Sequence, residues 1–264
     1  MNINNFFNID ERLMQLDEKI LAEISPRFKE TDDITEYNQL KMLSAFIKNG
    51  VTESAFAGST GYGYDDRGRE ILERVMADAM GAEDSLIRHN FVSGTHTLTV
   101  ALFGLLRPGD KVLVLTGRPY DTITGVFGID EKTDGSLADF GVEYHEIALL
   151  PDGTPDKAAI KKELAANTYK MAYIQRSRGY STRPSLTIEK IRELCDIVRE
   201  TSPKSIIMVD NCYGEFTEKQ EPCEVGADII AGSLIKNPGG GIAPTGGYIA
   251  GKHELIEKCA YRLT

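Results

Sequence analysis

The sequence predicts an α/β protein with a mostly parallel, seven-stranded sheet that carries helices on both faces. Three observations support this fold class. From about residue 85 onward, short apolar runs rich in Ile, Val and Tyr alternate with amphipathic stretches, which is the pattern of parallel strands joined by crossover helices. Polar or glycine-rich segments follow several of these apolar runs. The 264 residues, of which 41% are hydrophobic, are enough to bury a large core.

The N-terminal part of the chain is predicted to be helical. Apolar residues recur there at three- and four-residue spacing over 10–49. Pro26 lies between two such patterns, and we expect it to separate two helices. A further amphipathic helix is predicted over 69–81. The chain is therefore divided into a helical segment, 1–50, and a larger domain, 51–264.

Seven strands and three more helices are predicted in the rest of the larger domain. The strands are expected at 85–92, 111–116, 142–149, 170–175, 205–210, 227–233 and 245–252, the last of which could run antiparallel. The helices are expected at 95–106, 156–166 and 186–200. Because ligands bind outside the carboxyl ends of the strands in such sheets, the polar segments that follow the strands should converge on one site.

The composition and the net charge limit the classes of binding partner and the cellular compartment that we expect for this protein. A net charge of -10 and a pI near 5.0 argue against nucleic acid or an anionic membrane as the main partner. Four scattered cysteines without a CxxC pair indicate a reducing compartment. No signal peptide or membrane-spanning run is visible, so we expect a cytoplasmic protein. The four histidines have no metal-ligand spacing, and no metal is expected.

Two of the strand-end segments carry groups that could bind a charged ligand. In "FVSGTHT", Ser93, Gly94 and Thr95 precede a helix, where backbone N–H groups and hydroxyls can cradle a phosphate. An ordinary helix cap is the alternative for this segment. In "SIIMVD", Asp210 ends an apolar strand and would need a buried cation as its partner. A surface-facing loop aspartate is the alternative there.

A third segment, "IAGSLIKNPGGG", places Lys236 between an apolar strand and a glycine run. A desolvated lysine is a nucleophile that forms Schiff bases with carbonyl groups, and Ser233 could donate to a phosphate. A lysine in an exposed turn is the alternative. A phosphate cradle, a carboxylate for a pyridinium nitrogen and a Schiff-base lysine together are what pyridoxal 5′-phosphate (PLP) requires. Asp210 and Lys236 are 26 residues apart, so the ends of neighbouring strands can present both to one cofactor.

With these motifs, the sequence resembles the fold-type-I PLP-dependent enzymes of the cystathionine beta-lyase and methionine gamma-lyase superfamily. It is most similar to the branch labelled as aluminium resistance proteins. The matching segments are "GYGYDDRGRE", "VSGTHT", "GRPYDT", "VDNCYGEF" and "GADIIAGSLIKNPGGGIAPTGGYIAGK", which extend from about residue 60 to 252. The resemblance implies the large domain of a PLP-dependent transferase-like fold over 51–264. It also implies a C-terminal small domain, which we expect to be absent from this chain together with the arginine that binds the substrate carboxylate.

The resemblance also implies roles for individual residues toward PLP. Lys236 would hold the cofactor as an internal aldimine, and Asp210 would pair with its ring nitrogen. The residues that would bind its phosphate are Ser93, Gly94, Thr95 and Ser233.

Three further residues receive roles in the same way. Tyr120, in "GRPYDT", would stack on the pyridine ring and would count with the lysine and the aspartate as catalytic; a hydrophobic loop anchor is the alternative. Tyr64 and Arg67, in "YGYDDRG", would reach the phosphate in a neighbouring subunit. A homo-oligomer is therefore expected, at least a dimer and up to a homotetramer.

A basic segment, "IQRSRGYSTRPSL", places Arg176, Arg178 and Arg183 beside the predicted site. Ser177 and Tyr180 could contact cofactor or substrate, and one of the arginines could do the same. A basic cluster near a strand end could equally pair with acidic surface residues.

The activity that the resemblance implies is a PLP-dependent carbon–sulfur lyase of amino-acid metabolism, with a sulfur amino acid as its small-molecule substrate. Two motifs of this chain differ from the family pattern. Where the family has "S-[AT]-T-K" this sequence has "SLIK", and where the family has "YSRxxNPT" it has "YGYDDRG". Aldolase, racemase or transaminase chemistry therefore stays open, as does a non-catalytic PLP-fold protein that acts by binding or regulation. Assays with cysteine, cystathionine, methionine and threonine would separate these alternatives.

Overall fold

The computed structural model describes residues 6–59, 66–131 and 133–263. Their strands form one seven-stranded sheet. In chain order, the strands are β1 (Asp84–Arg88), β2 (Lys111–Val114), β3 (Glu143–Glu146), β4 (Met171–Gln175), β5 (Ile206–Asp210), β6 (Ile229–Ser233) and β7 (Gly247–Gly251). All seven overlap the predicted strands.

The sheet has the strand order β1-β7-β6-β5-β4-β2-β3. The pairs β2–β3, β2–β4, β4–β5 and β5–β6 are parallel. Strand β7 lies between β1 and β6 and is antiparallel to both. The predicted mostly parallel sheet with an antiparallel seventh strand is therefore confirmed. The strands from β1 to β6 end at one edge, where the polar segments follow them.

Helices cover both faces of the sheet. They are α1 (Glu11–Lys48), α2 (Arg67–Met80), α3 (Gly94–Leu105), α4 (Asp121–Phe127), α5 (Lys157–Ala166), α6 (Ile188–Thr201) and α7 (His253–Leu263). The period-two alternation of strand side chains divides the core in two. On one face, Leu113 packs with residues of α2, α5 and α6. On the other, Val112 and Val114 pack with residues of α3, α4 and α7.

The predicted break at Pro26 is wrong, because α1 is one helix of 38 residues with Pro26 inside it. A proline in a helix interior removes one backbone hydrogen bond and costs about 3 kcal/mol. The residues on both sides of Pro26 are mostly exposed, so water can bond to the carbonyl that the proline leaves without a donor. In the part of the chain that the structure describes, no helix combines the length and the apolar character needed to cross a bilayer.

Candidate active site

A cavity of about 340 Å³ opens at the carboxyl ends of the strands. Its lining comes from the segments after β1, β2, β4, β5 and β6, so the predicted convergence of these five segments is confirmed. The volume lies in the range of small-molecule and cofactor sites. The lining residues are Ser93, Gly94, Thr95, Leu98, Tyr120, Thr122, Ser177, Gly179, Tyr180, Asp210, Cys212, Tyr213, Ile235 and Lys236.

The N-terminus of α3 forms one wall of this cavity. The Ser93 side chain caps the helix by accepting a hydrogen bond of 3.1 Å from the His96 backbone N–H. The Thr95 hydroxyl lies 2.8 Å from that of Thr122. Ser233 does not line the cavity: it is fully buried, and its hydroxyl accepts from the Ile235 N–H at 3.3 Å. The helix cap that was the alternative for this segment is therefore observed. An anion cradle at the same helix end stays a prediction, and it is compatible with the cap because the first N–H groups of a helix have no partner within it.

Gly94 lies where this helix end meets the neighbouring strands. A Cβ built on Gly94 would come within 3.1 Å of the Cys212 Sγ and 3.2 Å of the Ser233 Cβ. These distances are shorter than ordinary van der Waals contact, so glycine is what allows the helix end to approach so closely. Ser233 thus stands directly behind the first residue of α3.

Asp210 ends β5 and is 5% exposed. Its carboxylate accepts from the Cys212 backbone N–H at 3.1 Å and lies 3.5 Å from the Tyr173 hydroxyl. Among the described residues Asp210 forms no ion pair, although the nearby charge of Lys236 acts to lower its pKa, and burial is the largest cause that raises it. A buried carboxylate without a cation is unfavourable. A positively charged group bound beside Asp210 would stabilise its carboxylate, and the pairing with a ring nitrogen stays a prediction.

Lys236 follows β6, and its Nζ lies 3.8 Å from the centre of the Tyr213 ring. Tyr213 has a left-handed backbone with φ 67°, which is unusual for a bulky residue. The Asn237 side chain donates to the backbone carbonyls of Tyr213 at 3.1 Å and of Glu215 at 3.0 Å. Asn237 thus ties the loop after β5 to the lysine-bearing loop. Tyr213 and Asn237 were not predicted as site residues, since only the pairing of β5 with β6 brings them to the lysine.

Tyr120 lies at the start of α4, with its ring on the cavity wall. Its backbone N–H donates to the Gln175 side chain at 2.6 Å. Its ring lies 5.4 Å from that of Tyr180, and the hydroxyls are 3.5 Å apart. The contact with Tyr180 raises the pKa of Tyr120 to about 12, so the phenol is protonated at neutral pH. The ring is placed to pack against a planar ligand, and stacking on a pyridine ring stays a prediction.

The three arginines of the basic segment "IQRSRGYSTRPSL" lie in two different environments. Arg176 is 2% exposed and lies outside the cavity lining. It donates to Glu218 at 2.8 Å and lies 3.6 Å from the fully buried Glu221. The alternative that an arginine of this segment pairs with acidic residues is therefore confirmed for Arg176, but the pairing is in the interior rather than on the surface. Ser177 and Tyr180 line the cavity, as expected. Arg178 and Arg183 line a neighbouring cavity.

A polar network that the sequence does not reveal lies beneath the site. Glu215 is 1% exposed and accepts a hydrogen bond of 3.0 Å from the Tyr248 hydroxyl, while its Oε2 has no partner within the described ranges. Asn211 links Tyr248 to Glu221 at 3.2 and 3.1 Å. Burial raises the pKa of Glu215 to about 8. Glu215 is therefore protonated at neutral pH.

Of the two residues expected to act across a subunit boundary, Tyr64 lies outside the described residues. Arg67 is the first residue of α2 and is exposed. It does not line the cavity of its own chain. Its role toward a neighbouring subunit stays a prediction.

Comparison with known proteins places the chain among PLP-enzyme relatives. The family described as methionine gamma-lyase matches residues 13–264. A crystal structure from Listeria monocytogenes, described as a candidate cystathionine beta-lyase involved in aluminum resistance, is 52% identical with a TM-score of 0.92 and covers 95% of this chain. A carbon–sulfur lyase involved in aluminum resistance from Clostridium novyi is 47% identical with a TM-score of 0.92 and covers 99%.

The uncharacterized protein YnbB of Bacillus subtilis is 47% identical over 247 residues, which are 93% of this chain. The chain is shorter than all three relatives. It spans 58% of the Bacillus protein and 62% of each of the two solved chains.

Proposed function

Because the chain belongs to the methionine gamma-lyase family, we propose that it is the cofactor-binding part of a PLP-dependent carbon–sulfur lyase acting on a sulfur amino acid. One observation carries the proposal. A single cavity brings together the Lys236 amine, the buried Asp210 carboxylate, which forms no ion pair among the described residues, and the N-terminus of α3. The relatives described as a carbon–sulfur lyase and a candidate cystathionine beta-lyase support the reaction class.

The residues of the cavity fit PLP by their chemistry. The N–H groups and hydroxyls of Ser93, Gly94 and Thr95 would hold its phosphate, because a helix N-terminus favours an anion. Asp210 would hold the ring nitrogen and keep a proton on it, which would give the buried carboxylate a cation as its direct partner. Lys236 would hold the aldehyde carbon. Tyr120 would lie on the ring.

When bound, PLP supplies a pyridinium ring that accepts electrons from the α-carbon of an amino acid. The protein supplies the groups around it. Lys236 is the basic side chain of the described cavity lining, so its Nζ, once the substrate amine has taken its place on the aldehyde carbon, would be the group that accepts the α-proton. Asp210 would hold the proton at the ring nitrogen and so favour this electron acceptance. Cys212 takes no part as a nucleophile, because burial and then the nearby Asp210 raise its thiol pKa well above the usual range.

The proposal extends to the organisation of the protein. Residues 1–50 form an N-terminal helical segment and 51–264 the PLP-binding large domain, in keeping with the end of α1 at Lys48. The active form is a homo-oligomer, a dimer or a dimer of dimers, in which Tyr64 and Arg67 reach a neighbouring site. The protein works in the cytoplasm. Sedimentation of the chain with and without PLP measures the assembly.

The first experiment locates the cofactor. The chain is purified with PLP, its visible absorption is recorded, and it is reduced with borohydride before peptide mass spectrometry. We expect absorption above 400 nm and a pyridoxyl adduct on Lys236. Lys236→Ala should lose both, whereas Lys204→Ala, which removes an exposed lysine, should keep both.

Turnover is then assayed with cysteine, cystathionine, methionine and threonine, by release of ammonia and a 2-oxo acid. Release of a thiol product supports the lyase. A colourless protein without an adduct on Lys236 refutes the cofactor assignment. An adduct without thiol release from any sulfur amino acid keeps the cofactor assignment and contradicts lyase activity of this chain by itself.

A further inference from the structure

The loop after β5 holds two residues in a strained backbone conformation. In the described ranges, Tyr213 (φ 67°) and Phe216 (φ 60°) are the only residues other than glycine with a left-handed φ. This conformation is unfavourable for a bulky side chain, and it persists only where the surrounding contacts enforce it. Strained residues of this kind are concentrated at functional sites, and Tyr213 lines the cofactor cavity.

Backbone contacts hold Tyr213 in this conformation. The Gly214 N–H donates to the Asn211 carbonyl at 2.8 Å, which closes a turn around Tyr213. The Tyr213 carbonyl accepts from the Asn237 side chain at 3.1 Å. The Tyr213 side chain itself is 60% exposed. The loop therefore fixes the position of the ring, and burial of the ring contributes little to it.

The loop presents the face of the Tyr213 ring to the amine of Lys236. The Lys236 Nζ lies 3.8 Å from the ring centre, well inside the distance of about 6 Å within which an aromatic face attracts a cation. A second pair of this kind, Lys219 over Tyr37, is exposed and has a distance of 5.5 Å. The contact at Lys236 is therefore the closer of the two, and it lies in the cavity.

The described lining of the cavity contains one carboxylate, that of Asp210. The charges of Asp210 and Lys236 influence each other. In the proposed function, however, the ring nitrogen of the cofactor becomes the direct partner of Asp210. The face of the Tyr213 ring is then the negatively polarised group that remains in contact with Nζ.

We propose that Tyr213 stabilises the positive charge that Lys236 acquires when it removes the α-proton of the substrate. This inference rests on the proposed function and assigns a further residue to its chemistry. In this step the bond between the α-carbon and its proton breaks, the Nζ lone pair binds the proton, and the electron pair of the broken bond stays on the substrate. Nζ thus changes from a neutral amine to an ammonium group. A ring face within 4 Å attracts the ammonium more than the amine, and it does so more strongly when a bound substrate excludes water.

The contact is tested first in the full chain without PLP. Tyr213 is replaced by phenylalanine, 3,5-difluorophenylalanine and 3,4,5-trifluorophenylalanine, which have nearly the same shape and a progressively less negative ring face. Trace acetic anhydride reacts with neutral amines, and peptide mass spectrometry gives the acetylation rate of Lys236 relative to the exposed Lys204. We expect Tyr213→Phe to keep the rate of the unmodified chain. The trifluorinated ring should raise that rate at least about 3-fold.

The role in proton transfer is tested in the chain loaded with PLP, using L-alanine, which has an α-proton and no sulfur to release. Mass spectrometry follows the exchange of this proton with deuterated water. We expect the exchange rate at saturating alanine to fall through the fluorinated series, by at least about 3-fold for the trifluorinated ring, with an unchanged Kd for alanine. Tyr213→Leu, which removes the ring, should slow exchange further. Tyr37→Leu, which removes the ring beside Lys219, should change neither measurement.

Equal acetylation rates through the fluorinated series would overturn the contact between the ring and the ammonium group. Equal exchange rates through the series, or no exchange of alanine in the unmodified chain loaded with PLP, would overturn the role in proton transfer. These outcomes leave the cofactor assignment standing, because they do not concern PLP uptake. A chain that takes up no PLP would refute the proposed function and the role in proton transfer with it, whereas the acetylation series would still decide the contact.

Discussion

The carboxyl group of Glu215 should make the stability of this protein fall as the pH rises. Glu215 lies beneath the loops that carry Tyr213 and Lys236. It is 1% exposed, and its Oε2 has no partner among the described residues. Burial is the largest cause that raises its pKa to about 8 from 4.5. The change to test is Glu215→Gln, which keeps the shape and removes the ionisation.

The sign follows from proton binding in the two states. Between pH 4.5 and 8 the unfolded chain has lost the Glu215 proton and the folded chain has kept it, so each pH unit costs the fold about 1.4 kcal/mol. With a folded pKa of about 8, the loss amounts to about 2 kcal/mol between pH 6 and pH 8. The amide that Glu215→Gln introduces does not titrate, so the variant lacks this loss.

Urea unfolding at pH 6, 7 and 8 measures the difference between the free energies of unfolding of the two proteins. We expect Glu215→Gln to gain on the unmodified chain by about 2 kcal/mol over this interval. At any single pH the two free energies of unfolding also differ by a constant amount, because the new amide N–H groups lack acceptors and destabilise the variant. The test therefore uses only the change of this difference with pH. The control is Glu36→Gln, an exposed carboxylate of α1. Parallel curves for Glu215→Gln and the unmodified chain would refute a protonated Glu215.

Three further changes test the site and its supports. Gly94→Ala should weaken PLP binding several-fold in an absorbance titration, because its Cβ would lie 3.1 Å from the Cys212 Sγ and 3.2 Å from the Ser233 Cβ. Its control is Gly125→Ala, whose Cβ would have nothing within 4 Å and should leave PLP binding unchanged. Equal effects of the two substitutions would contradict the tight fit at Gly94. Arg176→Met should lower the free energy of unfolding by about 3–5 kcal/mol in urea, since it strands the buried Glu221. The exposed Arg192→Met is its control, and a loss no greater than in that control would contradict the role. Pro26→Ala should slow amide exchange in the N-terminal half of α1 by restoring a backbone bond, and unchanged exchange there would contradict this.

The position of the site could be predicted from the sequence because it depends on topology alone. In a parallel sheet the carboxyl ends of the strands share one edge. Ser93, Tyr120, Asp210 and Lys236 each follow or end a recognisable apolar strand, and all four line one cavity. The strand pattern therefore places these residues together without any knowledge of individual contacts.

The contacts within the site could not be predicted in this way. The Lys236 amine over the Tyr213 ring and the Asn237 side chain on two loop carbonyls join segments more than 20 residues apart. Each depends on the register between β5 and β6 and on a left-handed residue that is not glycine. Neither leaves a periodic or compositional signal.

Among the helices, two were not predicted, for different reasons. The seven residues of α4 include two threonines and a glycine, which are weak helix formers, and its form depends on packing. In α7, Leu255, Ile256 and Cys259 are buried at helical spacing, so its pattern was readable. Pro26 does not end α1, because the residues around it are exposed and water can bond to the carbonyl that the proline leaves without a donor.

The residues directly beneath the loop of Lys236 are tightly packed. A Cβ on Gly232, the residue before Ser233, would come within 2.4 Å of the Glu215 Oε1 and 2.6 Å of the Tyr248 hydroxyl. Only glycine lets the buried carboxyl and phenol meet under the end of β6. Because that strand end begins the loop of Lys236, a shift in the Glu215–Tyr248 pair would move the lysine as well. A neutral Glu215 keeps this contact without placing a second negative charge near the buried Asp210. The pH that ionises Glu215 should therefore loosen the site together with the fold.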